Sequence, residues 1–336
     1  MSQTTIEILA KAPPLAEREL SQLTSGIASR VSSDLELAML LEVSAYPKPG
    51  NVHRTRDYFD TRFEHYLASA AAARFYFQKA ARIGVEIARK EKPAESAKVG
   101  STIRDAIIAI MQAQHGGNTS LGTVSLLVPL AVAAGMTLTR QRSSLALLRK
   151  NLGHVLDATT VADAVAFYEA VAHAKPGGMG AVPYLDVKDR TSKGRIVRKE
   201  HRLLEIFRLA ADRDSICSEW VTHYQTTFEL GYPYFASQLT KTHDVNKSTV
   251  NTYLMILSKI PDTLIARKTG MQRAAWVSER ARKVLALGGA NTGAGRREIE
   301  KLDEDLRIDG HMLNPGSTAD LSACVVALAI ISGYRP

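Results

Sequence analysis

Apolar residues in this chain recur at three- and four-residue spacing over long stretches and almost nowhere follow the two-residue rhythm of a half-buried strand. Helix-like stretches run near residues 62–90, 101–114, 119–134, 143–152, 160–173, 199–211, 215–230, 248–259, 272–287, 296–308 and 318–332. An earlier one carries Leu35, Ala38, Met39, Leu41 and Glu42 behind a Ser33 or Asp34 cap. It stops before Pro47, because the residue preceding a proline disfavours helical geometry. Only 182–187 offers a weak strand pattern. The chain is therefore expected to be all-α, a single large multi-helix globular bundle over residues 1–336, with 186–198 as a charged, exposed excursion.

A chain of 336 residues with 45% hydrophobic content can bury a core without disulfides or a structural metal. Its two cysteines, Cys217 and Cys324, stand far apart and outside any paired-cysteine motif, which points to a reducing compartment, the cytoplasm. The opening Met1-Ser2-Gln3-Thr4-Thr5 lacks a basic patch followed by an apolar run, so no secretory leader is expected. The longest apolar stretch, 121–135, contains Thr123, Ser125 and Pro129 and falls short of the ~20 residues that span a bilayer. It reads as a buried core helix. A net charge of +9 favours acidic partners, nucleic acid or polyphosphate among them, but the basic residues are dispersed. Neither a basic stripe nor an aromatic stacking series is present, so nucleic acid is the weaker of the two.

Turn-forming residues gather where polar groups also gather, at 47–54, 116–119, 175–183, 261–262, 288–295 and 314–317. Such a distribution suggests a site built from loops at helix ends. In the first cluster Pro47 and Pro49 stiffen the backbone and Gly50 permits a tight turn, so Lys48, Asn51, His53 and Arg54 could converge on an anion. An ordinary helix-ending loop with solvated charges would have the same spacing. In the second, Gly116 and Gly117 expose amides and Asn118 or Thr119 can cap the apolar helix, whose N-terminus favours phosphate. Asp262 reads as a helix cap, with Arg267 and Lys268 one turn beyond it. Asn314, Gly316 and Ser317 open the last helix, and Ser317 with Asp320 has capping-box spacing. Asp60 and Glu64 would share a helix face if their segment were helical, and could then hold a cation together. His53, His65 and His115 have no zinc spacing. The Gly293-Ala294-Gly295 run lacks the third glycine and the preceding strand of a dinucleotide fingerprint.

Three pieces in order, Glu-Val-Ser then Pro-Lys-Pro-Gly-Asn-Val over 42–52, Gly-Gly-Asn-Thr at 116–119 and Asn-Pro-Gly-Ser-Thr-Ala-Asp-Leu at 314–321, resemble the triphosphoribosyl-dephospho-CoA synthase family. The resemblance extends over about residues 34–333 and is nearest to an archaeal-type branch, through Asp60-Thr61-Arg62-Phe63-Glu64-His65 and the segment 261–268. After the proline loop the better-known branch reads Pro-Gly-Leu-Val-Asp, where this chain has Pro-Gly-Asn-Val-His.

The resemblance implies transfer of the triphosphoribosyl group of ATP to a 2′-hydroxyl of dephospho-CoA, with release of adenine and inversion to an α-linkage. Another cofactor precursor, such as a ribitol-bearing pterin intermediate, is an alternative acceptor. Mg2+ is expected to accompany ATP. Lys48, Arg54, Arg267 and Lys268 are the expected phosphate clamps, with Asn51, His53, Gly116, Gly117, Asn118, Thr119, Asn314, Gly316 and Ser317 completing the ATP- and phosphate-binding set. Glu42, Asp60, Glu64, Asp262 and Asp320 are the acid/base candidates, Asp60 and Glu64 also the metal candidates.

Overall fold

The computed structural model describes residues 17–140, 144–180 and 182–336. The amino-terminal stretch read for a leader, and residue 143 at the start of one expected helix, lie outside the described residues. In chain order the α-helices are α1 (Glu17–Ser44), α2 (Phe63–Ala88), α3 (Val99–Ala113), α4 (Leu121–Leu138), α5 (Leu145–Asp157), α6 (Val161–Ala174), α7 (Ser192–Arg198) and α8 (Leu203–Ala210). They continue with α9 (Ser215–Val221), α10 (Tyr232–Thr242), α11 (Val245–Lys259), α12 (Thr263–Thr269), α13 (Met271–Ala286), α14 (Gly293–Arg307) and α15 (Gly316–Ile331). No strand occurs among the described residues, and 182–187 is irregular.

α1 begins well before the expected cap. Ile27, Val31, Leu35, Ala38 and Met39 form one buried stripe, so the apolar periodicity runs through Ser33 and Asp34 without a break. Asp34 sits mid-helix, paired with Arg30 one turn before it at 3.7 Å and with distant Arg335 at 2.9 Å, the second a contact that local sequence does not announce. The excursion at 186–198 also contains a helix, α7, whose Ile196 is fully buried. α10 is not among the expected helices either; it continues from a π-helical turn over Thr226–Gly231, with Pro233 just past the junction.

α4 is the centre of the larger apolar cluster, and Thr123–Thr137 are all buried beneath neighbouring helices. It is the one described helix long and apolar enough to cross a membrane, and 78% of that span is buried in the fold. α2 crosses it closely enough that a Cβ on Gly84 would lie 2.0 Å from the Val132 carbonyl, and one on Gly135 would lie 2.1 Å from that of Ala81. Pro129 lacks the N–H that the Ser125 carbonyl would otherwise accept. Trp220 fills that vacancy with an Nε1–H donated at 3.0 Å, and the Tyr224 hydroxyl donates to the adjacent Leu126 carbonyl at 2.9 Å.

A second apolar cluster joins α11, α13 and α14 through Leu254, Val277, Ala281, Ile299, Leu302 and Leu306. α11 serves both clusters, because Met255 and Ile256 face the first while Tyr253 and Leu254 face the second. The ends of α1, α4, α12 and α15 meet along the seam.

Candidate active site

A cleft of about 720 Å3 opens along that seam. The four loops singled out from sequence all contribute to it, through Lys48 and Asn51, Asn118 and Thr119, Arg267 and Lys268, and Asn314 to Asp320. Its opposite wall comes from the loop at 175–180 and from α6, α8 and α9, with Phe167, Val171, Met179, Ile206, Phe207 and Cys217 as its apolar part.

The proline loop is latched to the second cluster atom by atom. Asp303 accepts the Gly50 amide at 2.8 Å and pairs with Arg56 and Arg307, each at 2.7 Å. Tyr253 donates its hydroxyl to the Pro49 carbonyl at 2.7 Å and accepts from Asn51 Nδ2 at 2.8 Å. Asn314 closes the latch by donating to Asn51 Oδ1 at 2.6 Å and to the Gly50 carbonyl at 3.1 Å. Asn51 and Asn314 thus hold each other while lining the cleft.

Lys48 is not the open phosphate donor that its loop suggested. Its ammonium pairs with the Glu42 carboxylate and also donates to the Glu42 carbonyl at 3.0 Å, leaving the side chain 1% exposed. A buried cation must be matched, and Glu42 at the end of α1 is the nearest anion. Arg54 points out of the cleft, stacked 4.0 Å from the Tyr46 ring centroid and bonded to Asn246 at 3.3 Å. His53 is also outside it, buried behind the loop, where loss of solvent pulls its pKa down to about 4.

Asp320 faces the cleft floor. It accepts from the Thr123 hydroxyl at 2.5 Å, and a Cβ on Gly122 would lie 2.1 Å from its Oδ2, so only glycine at the start of α4 admits this carboxylate. Burial pushes its pKa up to about 7; the Thr123 bond opposes this, and the charges of Glu42 and Asp262 add to it. The expected capping box does not form, because α15 starts at Gly316 and Ser317 accepts from Thr263 at 3.0 Å instead.

Asp262 is saturated by structural bonds. One oxygen accepts the Leu264 and Ile265 amides at 2.9 and 3.0 Å, and the other accepts the Thr318 amide and hydroxyl at 2.7 and 2.8 Å. It ties α12 to α15 from behind the cleft wall, which corrects its place among the acid/base candidates. The same holds for Gly116, whose amide is taken by Gln114 Oε1 at 2.5 Å; neither Gly116 nor Gly117 lines the cleft. The N-cap position of α4 is Ser120, which makes no side-chain cap bond; Asn118 Oδ1 accepts the Leu121 amide at 3.1 Å from two residues before the cap, and Thr119 is bonded to Ser69 at 2.7 Å.

Asp60 and Glu64 do not share a helix face. α2 begins at Phe63, so Asp60 lies in the bend before it, while Glu64 is exposed and outside the cleft. Asp60 instead bonds His311 Nε2 at 2.6 Å. Burial acts to raise its pKa, but the His311 bond and charge win and hold it below the usual carboxylate range. His311 stacks 3.9 Å from the Tyr58 centroid and its carbonyl accepts the Lys268 ammonium at 2.8 Å.

Four cations reach the cleft from its far side. Arg267 is pinned at 2.5 Å by Asp214, which also caps α9, and Lys268 lies over Gly177 and Gly178. Lys175 and Arg213, which sequence reasoning did not select, line the same wall, and neither side chain has a bonding partner among the described residues. Lys175 belongs to a Lys-Pro-Gly-Gly run that reads as a turn, and Arg213 precedes a helix cap. Thr123 and His311 were missed as well, since each matters through a partner remote in sequence.

An all-helical scaffold that sets an ionisable carboxylate opposite a bank of cations, in a cleft of small-molecule size, defines an enzyme site for an anionic, phosphate-bearing substrate. Residues 28–336 match the family described as ATP:dephospho-CoA triphosphoribosyl transferase, and the chain belongs to that family. It is 24% identical over 302 residues to the 2-(5''-triphosphoribosyl)-3'-dephosphocoenzyme-A synthase of Klebsiella pneumoniae, an alignment spanning 88% of this chain and 89% of the relative. A shorter match, 30% identical over 105 residues, spans 31% of this chain and 35% of a Pseudomonas fluorescens protein given the same enzyme as its probable activity. A crystal structure from Archaeoglobus fulgidus, assigned as a triphosphoribosyl-dephospho-CoA synthase, superposes with a TM-score of 0.59 at 27% identity, over 80% of this chain and all of the other. The chain is thus an all-α transferase of the ATP-dependent triphosphoribosyl class.

Proposed function

We propose that this enzyme transfers the triphosphoribosyl group of ATP to a hydroxyl of dephospho-CoA, in the cytoplasm, with adenine as the leaving group. The observation that carries the reading is Asp320, a carboxylate on the cleft floor whose pKa of about 7 suits a general base at neutral pH. It would take the acceptor proton as the oxygen forms a bond to the ribose anomeric carbon and the bond to adenine breaks. One displacement on the β-linked nucleotide leaves an α-linked product. The Glu42–Lys48 pair beside it fixes the floor rather than reacting.

Arg213, Arg267, Lys268 and Lys175 are the groups to receive the triphosphate. Asp214 holds the Arg267 guanidinium in place, and Lys268 is directed by the His311 carbonyl. Burial lowers the Lys268 pKa, so an arriving phosphate would favour its charged form. Mg2+ arriving with ATP would be carried chiefly by phosphate oxygens and needs one or two carboxylates, and Asp60 on the cleft wall keeps Oδ2 for it. Bound there, the ion would neutralise charge on the triphosphate.

The test is product analysis. ATP, Mg2+ and dephospho-CoA should give free adenine and an adduct carrying a triphosphoribosyl group, with a ribitol-bearing pterin run in parallel as acceptor. Adenine at the enzyme-free rate with every acceptor would end the proposal.

A further inference from the structure

A second cavity, of about 660 Å3, lies behind the loop at 175–180 and shares Tyr168, Val171, Lys175, Gly178, Met179 and Val187 with the main cleft. Its remaining wall is strongly basic: Lys188, Arg190 and Lys193 join Lys175, with Asp189 as the one carboxylate. Asp189 is already engaged by the Thr191 amide and hydroxyl and by Arg195 at 3.4 Å. Lys188 donates to the Met179 carbonyl and Lys193 leans on Glu169 at 3.4 Å, but the Arg190 and Lys175 side chains have no partner among the described residues. The chamber therefore presents a surplus of positive charge to a concave space beside the reaction site.

Lys175 adds a second observation. It ends α6 with φ +47°, the left-handed cap conformation that glycine ordinarily occupies, although Gly177 and Gly178 follow directly. Lys90, Lys98 and five other non-glycine residues also have positive φ, so what sets Lys175 apart is where its exposed cation lies. Its side chain is the cation common to both cavities.

We propose that this side chamber binds the phosphorylated part of the acceptor, a diphosphate, while ATP occupies the main cleft. The inference rests on the two-substrate reading above. Each cavity has the volume of a site for one drug-sized ligand, so two bulky nucleotides call for both. Arg213, Arg267 and Lys268 on the main cleft suffice for one polyphosphate, and a separate cation group across the shared wall calls for a second anion. Lys175 at the partition would contact both and couple their binding.

The experiment uses the full chain and two variants. Arg190→Ala/Lys193→Ala removes exposed charges, and Lys175→Gly places the residue favoured by the backbone. Both should fold with an unchanged or, for Lys175→Gly, raised Tm. In Arg190→Ala/Lys193→Ala the KM for dephospho-CoA should rise about tenfold while the KM for ATP and kcat stay within about twofold. Calorimetry with inorganic pyrophosphate, in the presence of saturating ATP, should show a site in the wild type that either variant weakens. An unchanged KM for dephospho-CoA, or a raised KM for ATP in its place, overturns the assignment. If the wild type releases no adenine from ATP and dephospho-CoA, the acceptor reading fails; pyrophosphate binding then still decides the chamber, and its absence in the wild type refutes it.

Discussion

On the floor of the cleft the polar groups find partners inside the protein: Lys48 pairs with Glu42, Asp320 accepts from Thr123, and the loop above them is held by Asp303 and Tyr253. Along the far wall Lys175 and Arg213 are exposed with no side-chain partner among the described residues, and Arg267 keeps a buried Nε with no acceptor there. The floor is pre-organised and costs nothing to rearrange when substrate arrives. The wall is incomplete until an anion completes it. Stability and substrate binding should therefore separate along this line, and substitutions can break the distinction.

The largest effect is expected at Asp320. Asp320→Asn should lower kcat by about 10²–10⁴-fold, the range for loss of a general base. In the wild type kcat should rise with pH through about 7, as Asp320 loses its proton, and the variant should lose that step. Its folded pKa is raised, so its stabilising contribution is present below the ordinary carboxylate range and is lost as pH passes about 7. Asp320→Asn should consequently be no less stable than wild type at pH 8.5 in thermal melts, while being nearly inactive. A variant that retained activity would remove Asp320 from the chemistry.

Next comes Lys48→Met, which strands the buried Glu42 carboxylate and should cost about 3–5 kcal/mol in denaturant unfolding. Adding Glu42→Gln should restore much of it. If Lys48→Met instead left stability intact and raised the KM for ATP alone, the floor would be a phosphate clamp after all. Arg213→Ala is the counterpart on the wall, expected to change stability by less than about 0.5 kcal/mol and to raise the KM for ATP about tenfold, more so at low salt. The smallest effect belongs to Arg54→Ala: with its guanidinium stacked on Tyr46 outside the cleft, kcat and both KM values should stay within about twofold in steady-state assays.

The helical class could be read directly, because a period of three to four survives in any helix that buries one face. The proline loop, the Gly-Gly-Asn-Thr turn and the Asn-Pro-Gly-Ser segment could also be recognised, and all three meet at the cleft. Their individual side chains were harder. Lys48 and Arg54 stand six residues apart and look alike as cations, yet one turns inward to Glu42 and the other outward to Tyr46. Asp60 and Glu64 have ideal spacing for a helix that starts three residues too late.

What the sequence by itself determined is the all-helical class, most of the helices with α7 and α10 excepted, and the loops that frame the cleft, since these follow from neighbours within a few positions: apolar period, proline, glycine and capping groups. Only the tertiary structure decided which polar groups are consumed and which stay available. Asp320 met Thr123, Asp262 met Thr318, and Asp60 met His311 across 197, 56 and 251 positions of chain. The first two bonds satisfy carboxylates that burial withdraws from water, and the third joins more exposed groups that only the fold brings together, so in each case the partner is chosen by packing rather than by proximity in sequence. Lys175 and Arg213 stand out for the opposite reason: after packing, no group among the described residues pairs with them.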